Sequence, residues 1–426
     1  MNSKRRIFAG ALALTLVAAA CGDDDDDSAA DEAESAVTEA EAAATDAEEA
    51  AEDVATTVEE AMEDAETTVE DAMEEETDTT EAMDDGGSAE LPDTLSGTLI
   101  GAGASSQAAA MQGWVAGFQS LYPDVTIEYD PIGSGGGREQ FLGGGSDFAG
   151  SDAALDDEEY QQSIEVCAGD QGAINLPHYI SPIALPYNLP SIEGETLNLT
   201  PEAIAGIFAN EITNWNDPII AESNPDLELP DLRITPVHRS DDSGTTENFT
   251  DYMSQTAPDI WTYGAIEPWD TEGPGGGEGG AQTTGVVQAV AAGEGSIGYA
   301  DASQIGDLPA AAVGVAGEFV PFSAEAAGRI VDSSERTGGQ SEYDFAIEVN
   351  RNPESADTYP IALVSYHIVC LEYDDQETVD LVKAFMTWVG SDDGQAASAE
   401  SAGGAPLSDD IQAELLVSID QITVSS

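Results

Sequence analysis

The sequence predicts an α/β protein with a largely parallel sheet, and three observations carry that expectation. Short apolar strands alternate with runs at helical spacing. Glycine- and serine-rich turns follow the strands. The body, from about Leu91 to Ser426, is long for one domain and natural for two.

The elements follow in order. Thr98 to Gly101 reads as a strand that ends in Gly101-Ala102-Gly103-Ala104-Ser105-Ser106. A helix follows, with Met111, Trp114, Val115, Phe118 and Leu121 on one stripe. Val125 to Tyr129 is the next strand, leading into Ile132-Gly133-Ser134-Gly135-Gly136-Gly137 and a second helical start. Phe148 to Leu155 reads as a buried strand that ends in small and polar residues. Further on, His238-Arg239-Ser240-Asp241-Asp242-Ser243-Gly244-Thr245-Thr246 precedes Phe249, Tyr252 and Met253. That is the composition of a turn feeding a helix N-terminus. Tyr359 to Cys370 reads as a returning buried strand, and Thr378 to Gly390 as a helix packed on it through Val379, Val382, Phe385, Met386 and Val389. In parallel sheets ligands sit beyond the carboxyl ends of the strands, the edge at which these turns fall.

The N-terminus reads as an export signal over residues 1–21. Lys4, Arg5 and Arg6 precede an apolar run from Ile7 to Ala20 that is short for a membrane span. Ala18-Ala19-Ala20-Cys21-Gly22 is similar to a lipobox, which predicts lipidation of Cys21 and a lipid anchor; a cleaved leader without lipid is the alternative. Residues 22–92 are dominated by Ala, Glu, Asp and Thr and hold about 30 of the 85 acidic residues. Like charges oppose folding there, so the expectation is a disordered stalk, or a transient helix at most. As a flexible coil it would span roughly 45 Å.

The formal net charge is -75. Past the leader the basic residues are Arg138, Arg233, Arg239, Arg329, Arg336, Arg351 and Lys383. Such a balance argues against nucleic acid or an anionic membrane surface as partner. In an exported chain Cys167 and Cys370 can form a disulfide, with two separate buried thiols as the alternative.

Four segments carry candidate binding chemistry. Ser105-Ser106, Ser134 and Ser243-Gly244-Thr245 each stand where a turn opens a helix. Helix N-termini present unpaired N–H groups and partial positive charge to an anion. Gly135, Gly136 and Gly244 let backbone amides come close. Arg239 offers a planar fork to two oxygens at once, and Asp152 ends the buried strand. A capped surface helix with an Arg239–Asp241 or Arg239–Asp242 ion pair is the plainer reading of the third segment. Gly133-Ser134-Gly135 matches neither a P-loop nor a dinucleotide fingerprint. His178, His238 and His367 are far apart in sequence and show no zinc spacing, so no metal is expected. No nucleophile elbow surrounds Ser240 or Ser243, so no catalytic residue and no cofactor are expected. Arg138, just after the second glycine turn, reads as a surface residue paired with Glu139 or a neighbour, with added charge at the site as the alternative, and the five tryptophans read as packing residues.

From about Gly97 onward the chain resembles the periplasmic phosphate-binding proteins of the Pst ABC importer, in lipoprotein form. The resemblance rests on Gly101-Ala102-Gly103-Ala104, Ile132 through Gly137, Phe148 through Leu155 and Arg239 through Thr246. Trp215-Asn216-Asp217 and Gly295-Ser296-Ile297-Gly298-Tyr299 are further landmarks. It implies a two-lobed periplasmic-binding-protein (Venus-flytrap) fold of type II, with ligand in the cleft. One lobe would comprise residues 93–182 plus 356–426 and the other residues 183–355. Ser105, Ser106, Ser134, Asp152, Arg239, Ser243, Gly244 and Thr245 would hold inorganic phosphate, with Asp241 bracing Arg239. Ser106 stands where relatives have Phe and would act through its N–H; Gln107 stands where many have Pro. The implied partner is an ABC permease, the implied state a monomer, and the implied role capture without chemistry. Another tetrahedral oxyanion, such as arsenate, phosphite or sulfate, is the alternative ligand, and a secreted phosphatase the alternative class.

Overall fold

A computed structural model describes residues 91–337 and 340–425 of the chain. The leader, Cys21 and the acidic stretch through residue 90 lie outside the described residues.

The first sheet is built by β1 (Gly97–Gly103), β2 (Val125–Asp130), β3 (Phe148–Ser151) and β4 (Ala173–Ala184). Helices α1 (Ala108–Leu121), α2 (Ser134–Leu142) and α3 (Asp157–Val166) connect them. The chain then forms α4 (Pro201–Phe208), β5 (Thr235–Arg239), α5 (Gly244–Thr256), β6 (Glu278–Gly280), α6 (Gln282–Ala292), β7 (Ser296–Gly298) and β8 (Ala300–Asp301). It returns through α7 (Ala324–Asp332), β9 (Ala362–Cys370), α8 (Gln376–Gly390) and α9 (Asp392–Ala402).

Five sheets form among the described residues, and two of them, one in each lobe, position the site. The first has the order β2-β1-β3-β9-β4-β8, and the second β6-β5-β7. The second is parallel throughout, as is β1 with β2 and β3. The expectation of a largely parallel sheet needs correcting at β9. That strand runs antiparallel to β3 and to β4, and β8 is antiparallel to β4. The reason is topological. β4 carries the chain out of the first sheet and β9 carries it back, so neighbours on that path must oppose each other. Their pairing runs from Ala362 opposite Pro182 to Cys370 opposite Ala173, with a bulge between Ser365 and Tyr366. β3 also stops at Ser151, earlier than its apolar run suggested.

Both sheets bury aromatic cores. Under the first, Trp114, Phe118, Phe148, Phe385 and Trp388 pack edge-to-face or tilted. His178 on β4 and His367 on β9 meet in the same layer, with Nδ1 atoms 3.0 Å apart. Burial pushes His178 well below the usual imidazole range and His367 down to about 3, so both are neutral in the folded chain. Sequence distance had set these histidines apart; adjacent hinge strands join them. Under the second sheet, Phe249 stacks on Tyr299 at 4.5 Å and Phe208 packs against both. All five tryptophans are buried. Cys167, after α3, and Cys370, at the end of β9, form a disulfide. Among the described residues no helix is long and apolar enough to cross a membrane.

Candidate binding site

The site forms where helix N-termini from both sheets meet. β1 ends at Gly103, Ser105-Ser106 follow, and α1 opens at Ala108. α2 opens at Ser134 itself, after Gly133 with φ +100°. That backbone region favours glycine, and a Cβ built on Gly133 would stand 2.6 Å from Asp241 Oδ2 and 3.5 Å from Arg239 Nη2. The second turn therefore lies directly against the Arg239 cluster. α5 opens at Gly244, capped by Ser243, whose hydroxyl accepts from Thr246 N–H. A Cβ on Gly244 would come within 2.9 Å of Asp152 Cβ and Ala153 N, so only glycine permits this approach.

Asp152 is the centre of the arrangement. It is 3% exposed. Ser106 Oγ donates to its Oδ1 and Oδ2 at 2.6 and 2.8 Å. Thr245 Oγ1, from the other lobe, donates to Oδ2 at 2.7 Å, and Ser365 Oγ on β9 donates to Oδ1 at 2.6 Å. Its own N–H donates to Ser134 Oγ at 3.1 Å, and its carbonyl accepts from Asn248 Nδ2 at 2.7 Å. Burial pushes this carboxyl above its usual range; the Ser106, Ser365 and Thr245 hydroxyls and the charge of Arg239 act against the rise.

Arg239 ends β5 and is 2% exposed. Its Nε donates to Asp241 Oδ1 at 2.8 Å, and its Nη2 donates to Asp241 Oδ2. Asp241 is fixed in turn by Gln282 N–H at 2.8 Å. Among the described residues Nη1 meets no protein acceptor. One side of the guanidinium is thus braced and the other has donors to give.

The structure brings Ser106, Ser134, Asp152, Gly244 and Thr245 into direct contact, and sets Arg239 and Asp241 against Gly133 beside them. Ser243 caps α5 at the same place. Ser105 turns partly aside: its Oγ lies 3.0 Å from Thr283 Oγ1 and accepts from Thr283 N–H at 3.1 Å. The expectation for Ser106 needs an addition, since its hydroxyl, and not only its amide, engages Asp152. Sequence reasoning missed Thr283, Asn248, Ser365 and Gln304, which donates to the Ser105 and Ser106 carbonyls at 2.8 and 3.1 Å. Thr283 did carry a local signal, since it opens a helix just after the run Gly275-Gly276-Gly277-Glu278-Gly279-Gly280, which reads more simply as a flexible loop; no glycine-rich turn marks Asn248, Ser365 or Gln304.

Arg138 is a plain correction. It is buried, and its Nε donates to Glu159 Oε1 at 2.7 Å while Nη1 and Nη2 grip Glu267 in a two-pronged pair. Adjacent residues on a helix point about 100° apart, so Glu139 faces elsewhere. A cavity of about 300 Å³ touches Asp152 from the side of α5, lined by Glu247, Asp251 and Glu348 and by Arg351. Arg351 is engaged by Asp251, so carboxylates outnumber the one cation and the cavity suits an anion poorly. No group of three or more metal-ligating side chains is present among the described residues.

The arrangement offers amides, hydroxyls and one guanidinium to an anion, and one carboxylate to a proton. Known proteins with this organisation are informative. Residues 88–393 match the model of the PBP superfamily domain. The phosphate-binding protein PstS 3 of Mycobacterium tuberculosis is 33% identical over 330 residues, covering 76% of this chain and 86% of the relative. The phosphate-binding protein PstS of Xylella fastidiosa is 32% identical over 317 residues, covering 73% and 83%. In fold, the chain is similar to the periplasmic phosphate-binding protein PfluDING bound with phosphate (TM-score 0.62, 21% identity, 75% and 93% covered). It is also similar to the phosphate-binding protein of Stenotrophomonas maltophilia (TM-score 0.61, 20% identity, 76% and 94% covered).

Proposed function

The chain belongs to the PstS family of phosphate-binding proteins within the PBP superfamily, and from that premise we propose that it captures inorganic phosphate between its lobes for delivery to an ABC permease. It is a binding protein and not an enzyme, as its relatives are.

The observation that carries the reading is the juxtaposition of Asp152 with donors on every other side. Near neutral pH phosphate carries at least one proton. Amides at the openings of α1, α2 and α5, the hydroxyl hydrogens of Ser134 and Ser243, whose oxygens only accept from backbone N–H within the fold, and the spare donors of Arg239 suit its bare oxygens. Ionised Asp152 accepts a hydrogen bond from the ligand's protonated oxygen. Sulfate has no proton to give, and an anion facing an unpaired buried acceptor is costly. The ligand set we propose is Ser105, Ser106, Ser134, Asp152, Arg239, Ser243, Gly244 and Thr245, with Asp241 holding the Arg239 fork in plane. Contacts from both lobes would favour the closed state. The acidic surface need not oppose this, because its field is screened beyond about 8–10 Å in salt.

We further propose that residues 93–182 with 356–426 and residues 183–355 are the two lobes, that the mature chain is a monomer, and that Cys21 carries the lipid that tethers it outside the cell membrane. The N-terminal signal supports that placement.

Calorimetry tests the reading. Phosphate should bind and sulfate should not compete, whereas Asp152→Asn should admit sulfate. Equal affinity of the parent chain for both anions would reject proton reading, and arsenate binding with phosphate excluded would reassign the ligand.

A further inference from the structure

The hydrogen-bond directions around Asp152 can be followed outward to the hinge. Gln107 Nε2 lies 3.1 Å from the carbonyl of Tyr366 and also reaches Ser365 Oγ. A carbonyl oxygen only accepts, so the amide nitrogen must face Tyr366. The same nitrogen therefore donates to Ser365. With its acceptor side engaged by Gln107, the Ser365 hydroxyl directs its hydrogen at Asp152 Oδ1, 2.6 Å away. Every proton in this chain then points one way, and Asp152 stands at its end as an acceptor.

The same directions fix how many acceptor places remain. An ionised carboxylate offers about four lone-pair sites. Oδ1 takes hydrogens from Ser106 and Ser365, and Oδ2 takes one from Thr245 and shares the Ser106 hydrogen at 2.8 Å. At most one place remains, on Oδ2, enough for a single ligand proton. Ser365 and Gln107 are fully buried and lie outside the proposed ligand set. Ser365 owes its position to the bulge between it and Tyr366 on β9, the returning strand that pairs with β4.

We propose that Gln107 and Ser365 are positioning residues that lock Asp152 as a one-place acceptor, and that they set the selectivity for a protonated oxyanion over a bare one. This rests on the phosphate reading above. The mechanism acts through the acid itself. Removing the Ser365 hydroxyl deletes one of the bonds that hold Asp152 ionised against its burial. Asp152 then takes up its proton at higher pH, becomes a donor, and tolerates an anion without hydrogens. The other charged or titratable groups near it are Arg239 from β5, Tyr129 from β2 and Asp301 from β8, and, around the adjoining cavity, Glu247 and Asp251 from α5, Glu348, Arg351 and Tyr366. None of them changes in these variants.

Sulfate is the probe, because it does not titrate between pH 5 and 8 and any pH dependence in its affinity belongs to the protein. Calorimetry of the purified full chain with sulfate and with phosphate across that range is the experiment. For the parent, sulfate binding should be weak and rise only toward acid. For Ser365→Ala that rise should move up by about one pH unit, and Ser365→Thr, which returns a hydroxyl, should bring it back. Asp152→Asn should bind sulfate more tightly across the range and lose the steep acid rise, keeping only the shallow dependence that Asp301 and Glu247 impose. Gln107→Leu should shift the rise in the same direction, and carries the test if Ser365→Ala does not fold. A Ser365→Ala profile superimposed on the parent overturns the proposal. So does an equal loss for both anions at every pH, which would mean packing alone. A parent that binds neither anion overturns the phosphate reading first and this inference with it.

Discussion

Arg239 and Arg138 are both buried beside the same cleft, and both are gripped by carboxylates, yet they are built for different work. Arg239 has one carboxylate partner, Asp241, which takes Nε and one donor of Nη2, and Nη1 meets no protein acceptor among the described residues. Arg138 has four of its five N–H donors taken: Glu159 on Nε, Glu267 on both terminal nitrogens and Ser151 Oγ at 3.0 Å. A cation held on three sides by two carboxylates and a hydroxyl has little to give a ligand. It joins α2 to α3 and to the stretch between α5 and β6, which belongs with the second sheet. Buried positive charge is therefore a poor marker of a binding site; spare donor capacity is the better one.

The widest gap between them should appear in stability. Arg138→Ala leaves Glu159 and Glu267 uncompensated and should cost roughly 3–5 kcal/mol, read as a large drop in Tm. Phosphate affinity in the surviving fold should fall far less than for an Arg239 variant. Arg239→Ala should weaken phosphate about 100-fold, or about 2.7 kcal/mol, with a smaller loss of Tm. Should the two variants exchange these signatures, the distinction drawn here fails.

The smallest effect sharpens the point through Glu247. Burial first, and then the charge of Glu267, push this carboxyl up to about 7, although Arg138 pulls the other way. Arg138 is too committed elsewhere to hold it ionised. A carboxyl raised in the folded state favours its neutral form. Its contribution is complete below its unfolded value near 4.5 and is lost as pH rises through about 7. Parent Tm should thus decline from pH 5 to pH 8. Glu247→Gln should melt higher than the parent at pH 8, by on the order of 1–2 kcal/mol, and alike at pH 5. A variant less stable at pH 8 would mean that Arg138 does have charge to spare.

The two arginines also show where sequence was legible. Arg239 sits in a stretch dense in hydroxyls, acid and glycine at a helix start, and that local grammar marked it as a candidate, though a capped surface helix was the plainer reading until the family resemblance was added. Ser134, Gly244 and Thr245 were marked as candidates the same way. Arg138 was misread because its true partners lie 21 and 129 residues away, and only its helical neighbour was visible. Ser365 is 213 residues from Asp152 and sits on an unremarkable buried strand. The bulge that aims it leaves no mark in composition. Alternation of strands and helices revealed the α/β class, but an all-buried run such as β9 carries no sign of its direction. Its antiparallel pairing follows from the path of the chain between sheets, which is a global property.

The disulfide has a consequence of its own. Cys167 and Cys370 are separated by 203 positions, and the whole second sheet hangs between them. On the chain-entropy model such a closure restrains the unfolded chain by about 5 kcal/mol. It also makes the intervening polypeptide a covalent ring. A protease that nicks any exposed bond between those two cysteines opens the ring without severing the molecule, and both fragments stay tethered until a reductant parts them.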